Sequence, residues 1–117
     1  MIFDFEKFSN ITSRIFPDGA YTLEEALAVF RYYFQRYEEC TGRVHPPIKA
    51  SQIVRIIRDM PYICEEDKGM CYTDISPDAY YAMIDQHFAT KYKNCDYNIN
   101  HFFSGKVREL RFYESCY

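Results

Sequence analysis

The chain has 117 residues, of which 48% are hydrophobic and 26% are charged. This balance is typical of one folded domain, which we place over residues 1–117, and it excludes a disordered chain. The formal net charge is −3, from 14 basic and 17 acidic residues, so the chain as a whole is not attracted to nucleic acid or to an anionic membrane.

The N-terminal stretch and the cysteines predict a cytoplasmic protein. The opening residues, MIFDFEKFSN, include Asp4 and Glu6 and have no long apolar core, so they are not a signal peptide. No apolar run approaches the roughly 20 residues that cross a bilayer. The cysteines number five and none are spaced as C-x-x-C, which disfavours both a disulfide framework and a zinc ribbon.

Two helices are predicted in the first third of the chain. Residues 4–16 place apolar side chains at three- and four-residue steps before a Pro-Asp-Gly turn. The next segment has the most complete signals, because Thr22 and Glu25 form a capping box and Gly42 is placed to end the helix. We expect helix 23–41 to be the central element. Its expected apolar stripe consists of Leu23, Ala26, Leu27, Phe30, Phe34 and Tyr37.

A third helix is predicted over residues 49–60, where Pro61 ends it. The residues expected on its buried face are Ala50, Ile53, Ile56, Ile57 and Met60. Residues 62–75 carry an Asp-Lys-Gly turn signal between two short runs rich in Tyr, Ile and Cys. Both a small hairpin and an irregular acidic loop fit this segment.

Two further helices are predicted in the second half of the chain. Ser76 is a good N-cap for a helix over residues 77–89, with proline at its first position. A short helix follows at 96–103, with Asn94 or Asp96 as its cap and a Ser-Gly break after it. The residues expected to be buried in the longer helix are Tyr80, Met83, Ile84, His87 and Phe88.

The C-terminal stretch KVRELRFYESCY, residues 106–117, is ambiguous. A helix would bury Val107, Leu110 and Tyr113 but would leave Phe112 facing outward, whereas a strand would leave Val107 off the common face. We favour the helix. The sequence thus predicts a mainly α fold, a single compact domain of about four to six helices.

Few residues suggest catalysis or cofactor binding. The chain has four glycines in all and contains no Gly-rich phosphate loop, no G-x-S-x-G and no H-E-x-x-H sequence. A zinc site is conceivable, although the cysteine spacing is not that of a standard knuckle. We expect a protein that is not an enzyme and that holds no cofactor or structural metal. The conceivable zinc ligands are Cys64, Cys71, His87, Cys95 and His101.

The unusual feature is tyrosine, with 12 residues in a chain that lacks tryptophan. Not all of these hydroxyl-bearing side chains fit inside a small core, so several should lie at the surface. Tyr32 lies opposite the predicted stripe of the central helix and should be exposed unless a second layer covers it. Tyr and Arg supply most protein-binding hot spots. The candidate partner-binding residues are therefore Tyr32, Arg36, Arg55, Arg58, Arg108 and Arg111.

These features predict a non-enzymatic protein that binds another protein, such as a small stoichiometric inhibitor or adaptor. Phage and mobile-element proteins that block nucleic-acid-processing complexes, including anti-CRISPR inhibitors, share this size, acidity and lack of catalytic residues. The analogy rests on these general properties and not on a shared sequence motif. The alternative is a nucleic-acid-binding accessory module, in which the Arg, Lys and Tyr residues form a local basic face.

Overall fold

A computed structural model of the chain describes residues 21–65, 71–90 and 95–116. Within these ranges the chain forms five helices and one two-stranded hairpin, which confirms the predicted mainly α domain. The expected helix at 4–16 lies outside the described residues. The elements are α1 (Leu23–Thr41), α2 (Ala50–Asp59), β1 (Tyr62–Glu65), β2 (Cys71–Asp74), α3 (Pro77–Ala89), α4 (Ile99–Phe102) and α5 (Gly105–Cys116).

Helix α1 begins and ends as the sequence predicts. The Thr22 hydroxyl accepts a hydrogen bond from the Glu25 amide, and the Glu25 carboxylate accepts one from the Thr22 amide. Gly42 adopts a left-handed conformation with φ of 71°, which allows its N–H to reach the Glu38 carbonyl. A side chain with a Cβ would be strained at this φ.

The buried face of α1 is rotated relative to the predicted stripe. Val29 and Tyr33 are fully buried, whereas Leu27 and Phe34 are only partly so. The reason is that α3 packs against α1 and forms the second layer that the stripe alone did not reveal. The buried α1 residues are Ala26, Val29, Phe30, Tyr33 and Tyr37.

Helix α2 buries the predicted isoleucine face, and the chain then forms the hairpin rather than the irregular loop. Ile53, Ile56 and Ile57 are all buried. Strands β1 and β2 are antiparallel, in a register that pairs Tyr62 with Asp74. Directly after β2, the Ile75 amide donates to the Pro61 carbonyl at 2.9 Å, and Ser76 then caps the next helix.

Helix α3 is capped as predicted and lies between α1 and α5. The Ser76 hydroxyl accepts a hydrogen bond from the Ala79 amide at 3.2 Å, and Pro77 occupies the first turn. One face of α3 packs on α1 and another packs on α5. Its buried residues are Tyr80, Met83, Ile84 and His87, while Phe88 is partly buried.

Helix α4 is shorter than predicted and has a different cap. Asn98 is the N-cap, and its side chain accepts a hydrogen bond from the Asn100 amide. Asp96 instead accepts from the Asn98 amide at 2.9 Å and so forms the turn before the helix. Tyr97, between them, has a φ of 59°, which is incompatible with a helix running through it. The other predicted cap, Asn94, lies outside the described residues.

Helix α5 confirms the favoured interpretation of the C-terminal stretch but shows a different buried face. Phe112 is buried, at 5% exposure, whereas Leu110 is 53% exposed, so the prediction for these two residues is wrong. The helix is oriented by two buried arginines, Arg108 and Arg111, whose hydrogen-bond partners lie on α2 and α3.

Candidate functional site

Two of the predicted partner-binding residues, Tyr32 and Arg36, meet at Asp85 of α3. The Tyr32 hydroxyl donates a hydrogen bond to Asp85 Oδ1, and Arg36 Nε lies 3.4 Å from the same oxygen. Arg36 Nη1 also lies 2.9 Å from Glu39 Oε2. The hydrogen bond to Asp85 is the main cause that raises the pKa of the Tyr32 phenol. Because Tyr32 also packs against the core, it is less exposed than the sequence suggested.

A groove lies beside this network, between α1 and the first half of α3. Its larger part has a volume of about 580 Å³ and its smaller part about 330 Å³. Glu24, Ala28 and Tyr81 line both parts, so the groove is continuous. We call it the Tyr81 groove. The other lining residues are Leu27, Arg31, Tyr32 and Gln35 in the larger part and Thr22, Glu25, Pro77 and Asp78 in the smaller part.

The two tyrosines of the groove form a preorganised aromatic pair. The rings of Tyr32 and Tyr81 meet edge to face, with centroids 5.0 Å apart and an interplanar angle of 87°. Since the Tyr32 hydroxyl is held by Asp85, the pair is fixed on one side by a polar contact between α1 and α3. Rigid, half-exposed aromatic side chains bind partners with little loss of conformational entropy.

The charges in the groove are unevenly distributed. The smaller part carries the carboxylates of Glu24, Glu25 and Asp78, which lie in the first turns of α1 and α3. Glu25 is engaged in the capping box, whereas Glu24 and Asp78 are exposed. Arg31 lines only the larger part. One end of the groove is therefore acidic, and the aromatic pair adjoins it.

Tyr81 was missed by the sequence analysis, which singled out its neighbour Tyr80 as a core residue. Tyr80 is fully buried, as predicted. The side chains of adjacent residues point in directions about 100° apart around an α-helix. Since Tyr80 is buried, Tyr81 lies at the margin of the buried face. The two consecutive tyrosines after the Ser-Pro cap were thus the sequence feature that could have identified Tyr81 as a surface aromatic residue.

Two of the predicted partner-binding residues, Arg55 and Arg58, lie on α2. Arg55 forms hydrogen bonds within the fold, and Arg58 lies at the surface. Arg55 Nη1 donates to the Phe103 carbonyl at 3.0 Å, and Nη2 donates to Asn100 Oδ1 at 3.4 Å. Phe103 is the C-cap of α4, so Arg55 places a cation where the helix dipole favours one. The Arg58 side chain, by contrast, is 63% exposed and has only a 3.9 Å ion pair with Asp59.

The prediction that Arg108 lies outside the core is wrong, because the residue is 7% exposed. Its guanidinium donates to the Asp59 carbonyl at the end of α2 and, at 3.3 Å, to the Tyr80 hydroxyl. The Tyr80 hydroxyl in turn donates to the Met60 carbonyl at 2.6 Å. Side chains from α3 and α5 thus satisfy carbonyls at the C-terminal end of α2. Burial raises the pKa of Tyr80 to about 12, against the opposing effect of Arg108.

The same prediction is wrong for Arg111, which is 5% exposed. Its Nε donates to His87 Nδ1 at 3.1 Å, and its Nη1 lies 3.5 Å from Glu114. Since the Arg111 Nε–H can only donate, His87 Nδ1 must be unprotonated. Burial, followed by the charges of Arg111 and His101, lowers the pKa of His87 to about 3. Partner binding by Arg108 or Arg111 would require these internal bonds to break.

A second buried histidine joins the loop after α1 to helix α4. His45 Nε2 accepts a hydrogen bond from the Ile99 amide at 2.9 Å, so this nitrogen carries no proton. His45 Nδ1 lies 2.7 Å from the Pro46 carbonyl and donates to it. Burial lowers the pKa of His45, and its ring packs against Tyr37 at 4.7 Å and Phe34 at 5.0 Å. The contact thus supplies a partner for the first amide of α4.

Of the residues proposed as conceivable zinc ligands, His87, Cys95 and His101 have described side chains, and these three do not form a metal site with one another. The hairpin register pairs the backbone of Cys64 with Tyr72 and that of Cys71 with Glu65. Cys95 is a free, half-buried thiol whose sulfur accepts from the Tyr97 amide at 3.4 Å. Over residues 21–65, 71–90 and 95–116, no three His, Cys, Asp or Glu side chains form a set of metal ligands.

No helix within the described ranges is both long enough and apolar enough to span a bilayer. Comparison with protein-family models, with curated proteins and with solved structures found no match for this chain.

Proposed function

We propose that this protein acts by binding another protein in the Tyr81 groove, as a stoichiometric inhibitor or adaptor in the cytoplasm. The observation that supports this proposal is the fixed Tyr32–Tyr81 pair beside a groove of about 580 Å³. Tyrosine is enriched among the residues that dominate protein–protein affinity, and a preorganised ring loses little entropy on binding.

The acidic end of the groove supports a proposal about which class of protein the partner is. Glu24 and Asp78 present exposed carboxylates there. Nucleic-acid-processing proteins carry clusters of Lys and Arg on the surfaces that hold phosphates. A nucleic-acid-processing complex, of the kind that small phage and mobile-element inhibitors block, is the partner that this charge suits best.

The alternative of a nucleic-acid-binding module depends on a local face of Arg, Lys and Tyr residues, in which four arginines were expected to carry the affinity. Arg108 and Arg111 are buried, and Arg55 donates its hydrogen bonds to α4. Of the four, Arg58 is the one whose side chain lies largely in solvent. Among the basic residues expected on this face, Lys49, Arg58 and Lys106 are exposed, and three of the four arginines are engaged inside the fold. We therefore propose protein binding ahead of direct nucleic-acid binding.

The experiment is affinity capture followed by reconstitution with purified components. Tagged protein is incubated with nuclease-treated lysate of the source cells, and any protein retained is purified and titrated by isothermal calorimetry. We expect a 1:1 complex that Tyr81→Ala weakens by about 30-fold, the equivalent of a 2 kcal/mol hot spot. The unfolding free energy of this variant should fall by no more than about 1.5 kcal/mol, since only an edge-to-face contact is lost.

Arg58→Ala is the matched control, because Arg58 is exposed and lies outside the groove. It should leave the affinity unchanged. Equal affinity of the Tyr81→Ala variant and the wild type would contradict the proposal. So would a partner that is captured from untreated lysate but not from nuclease-treated lysate.

A further inference from the structure

The Tyr81 groove combines a larger part, lined by apolar and aromatic side chains together with Arg31 and Gln35, with an acidic end from which Arg31 is absent. Leu27, Ala28 and the Tyr32–Tyr81 pair line the region next to Glu24. Glu24 also lines the smaller part, together with Asp78. An occupant that fills both parts therefore meets aromatic surface and carboxylates within one short stretch.

The two carboxylates are available to a partner. Glu24 and Asp78 are exposed, and among the described residues neither has an ion pair or a side-chain hydrogen bond. The N-termini of α1 and α3, where these residues lie, offset part of their charge. Covering them with an uncharged surface would remove water from both and supply no replacement. A cationic side chain in the occupant avoids this cost.

We infer that the groove takes a segment of the partner protein in which a Lys or Arg side chain lies close to an apolar or aromatic one. The apolar side chain packs against Tyr32 and Tyr81, and the cation lies between Glu24 and Asp78. The inference rests on the proposed function and adds the chemistry of the partner. An Arg guanidinium would gain further from stacking on the Tyr81 ring.

The helix geometry sets the spacing of these two side chains. Asp78 at the acidic end and Tyr81 in the aromatic pair are three residues apart on α3, which corresponds to about 4.5 Å along the helix axis. In a helical partner segment the cation and the apolar anchor would then be three or four residues apart. In an extended segment they would be two residues apart. The lined part of α1, from Glu24 to Gln35, spans about 16 Å, so two to three turns of a helix fit along it.

The test uses two synthetic, fluorescein-labelled amphipathic helices of 14 residues, one made of Leu and Lys and the other of Leu and Glu. Fluorescence anisotropy measures their affinity for the full-length protein at two salt concentrations. We expect the Leu–Lys peptide to bind at least about 10-fold more tightly than the Leu–Glu peptide, with a preference that weakens as salt rises. Tyr81→Ala should weaken binding of the Leu–Lys peptide by a similar factor.

Charge reversal identifies the acidic end as the source of the preference. Glu24→Lys with Asp78→Lys should abolish the preference for the Leu–Lys peptide. The matched control is Glu38→Lys with Asp74→Lys, which makes the same change in net charge at exposed positions outside the groove. The control should keep at least half of the preference.

A neutral double variant provides the same test if the charge-reversed protein does not fold. Glu24→Gln with Asp78→Asn keeps the size of both side chains and should remove most of the preference. A circular dichroism melt of each variant shows whether α1 and α3 are intact.

The outcomes separate this inference from the proposed function. If Tyr81→Ala weakens binding but both Glu24/Asp78 variants keep the Leu–Lys preference, the groove binds partners and the inferred chemistry is wrong. If Tyr81→Ala has no effect on either peptide or on the captured partner, the proposed function fails as well. A concentration-dependent dimer that Tyr81→Ala dissociates would assign the groove to a second copy of the chain and would overturn the inference.

Discussion

The two buried histidines predict that this protein loses stability in mild acid. His87 is fully buried and its Nδ1 accepts a hydrogen bond from Arg111. The pKa of His87 is lowered from 6.5 to about 3 in the folded protein, so the unfolded chain binds a proton that the folded chain does not. The contribution of His87 to stability therefore rises with pH between about 3 and 6.5 and does not change further above that window.

The magnitude follows from the two pKa values. With 6.5 for the unfolded chain and about 3 for the folded one, lowering the pH from 7 to 5 should reduce the free energy of unfolding by about 2 kcal/mol. His45 contributes in the same direction, because burial lowers its pKa too. The groups that face His87 keep it neutral: they are Arg111 and His101 by their charge, and the rings of Tyr33, Phe88, Tyr97 and Phe102 by excluding water.

The assay is urea denaturation at pH 5, 6, 7 and 8, followed by circular dichroism. The range stops at pH 5 because most carboxylates titrate below it. His87→Asn is the informative variant, since Asn does not titrate and retains an acceptor for Arg111. Its slope of stability against pH should be much shallower than that of the wild type, whatever its absolute stability. His101→Asn, at an exposed position, is the control and should keep most of the wild-type slope.

A stability that is equal at pH 5 and pH 7 would refute this reasoning. So would a His87→Asn variant that retains the full slope, because the proton would then be taken up elsewhere.

Three further substitutions test the core. Phe30→Ala should lower the free energy of unfolding by about 3–5 kcal/mol in urea, since Phe30 is fully buried; a loss under 1 kcal/mol would contradict the assigned core. Arg108→Met should cost about 1–3 kcal/mol by leaving a carbonyl at the end of α2 without its donor, whereas Arg58→Met should cost almost nothing, and equal losses would disprove the capping role. Tyr33→Phe removes only the hydroxyl that donates to the Tyr97 carbonyl at 2.7 Å, so thermal or urea unfolding should show a loss of about 1 kcal/mol, and no loss would mean that the bond is not formed in solution.

The elements that the sequence predicted well are those specified by local chemistry. The Thr22–Glu25 capping box, the left-handed Gly42 and the Ser76 cap all involve residues within four positions of one another. Such signals do not depend on the rest of the fold. The same reasoning placed the break between α4 and α5 correctly, since the Ser-Gly pair lies at the start of α5.

The errors concern side chains whose partners are distant in sequence. The sequence predicted that Arg108 and Arg111 lie on a basic surface, because charged residues are rarely buried without a partner. Their partners, the Asp59 carbonyl and His87, are 49 and 24 positions away, and no periodicity reveals them. Once both arginines face inward, Phe112 follows them into the core and Leu110 is left in solvent.

The candidate site could be predicted only in part for the same reason. Tyr32 and Arg36 were identified by residue type and by their position on α1. What makes them a site is Asp85, which is 53 positions from Tyr32 and holds both side chains. Tyr81 enters the groove only because α3 packs across α1, and the sequence does not specify that crossing.

The use of arginine inside the fold also bears on the kind of partner this protein can bind. Arg55 and Arg108 donate hydrogen bonds to backbone carbonyls at the C-termini of α4 and α2, and Arg111 donates one to His87. These guanidinium groups already have their hydrogen-bonding partners, so they are not available to hold phosphates. The carboxylates of Glu24 and Asp78 remain in solvent at the edge of an aromatic groove. Exposed carboxylates beside an aromatic pair favour a cationic protein surface as the occupant of the Tyr81 groove, which is the partner chemistry that we propose.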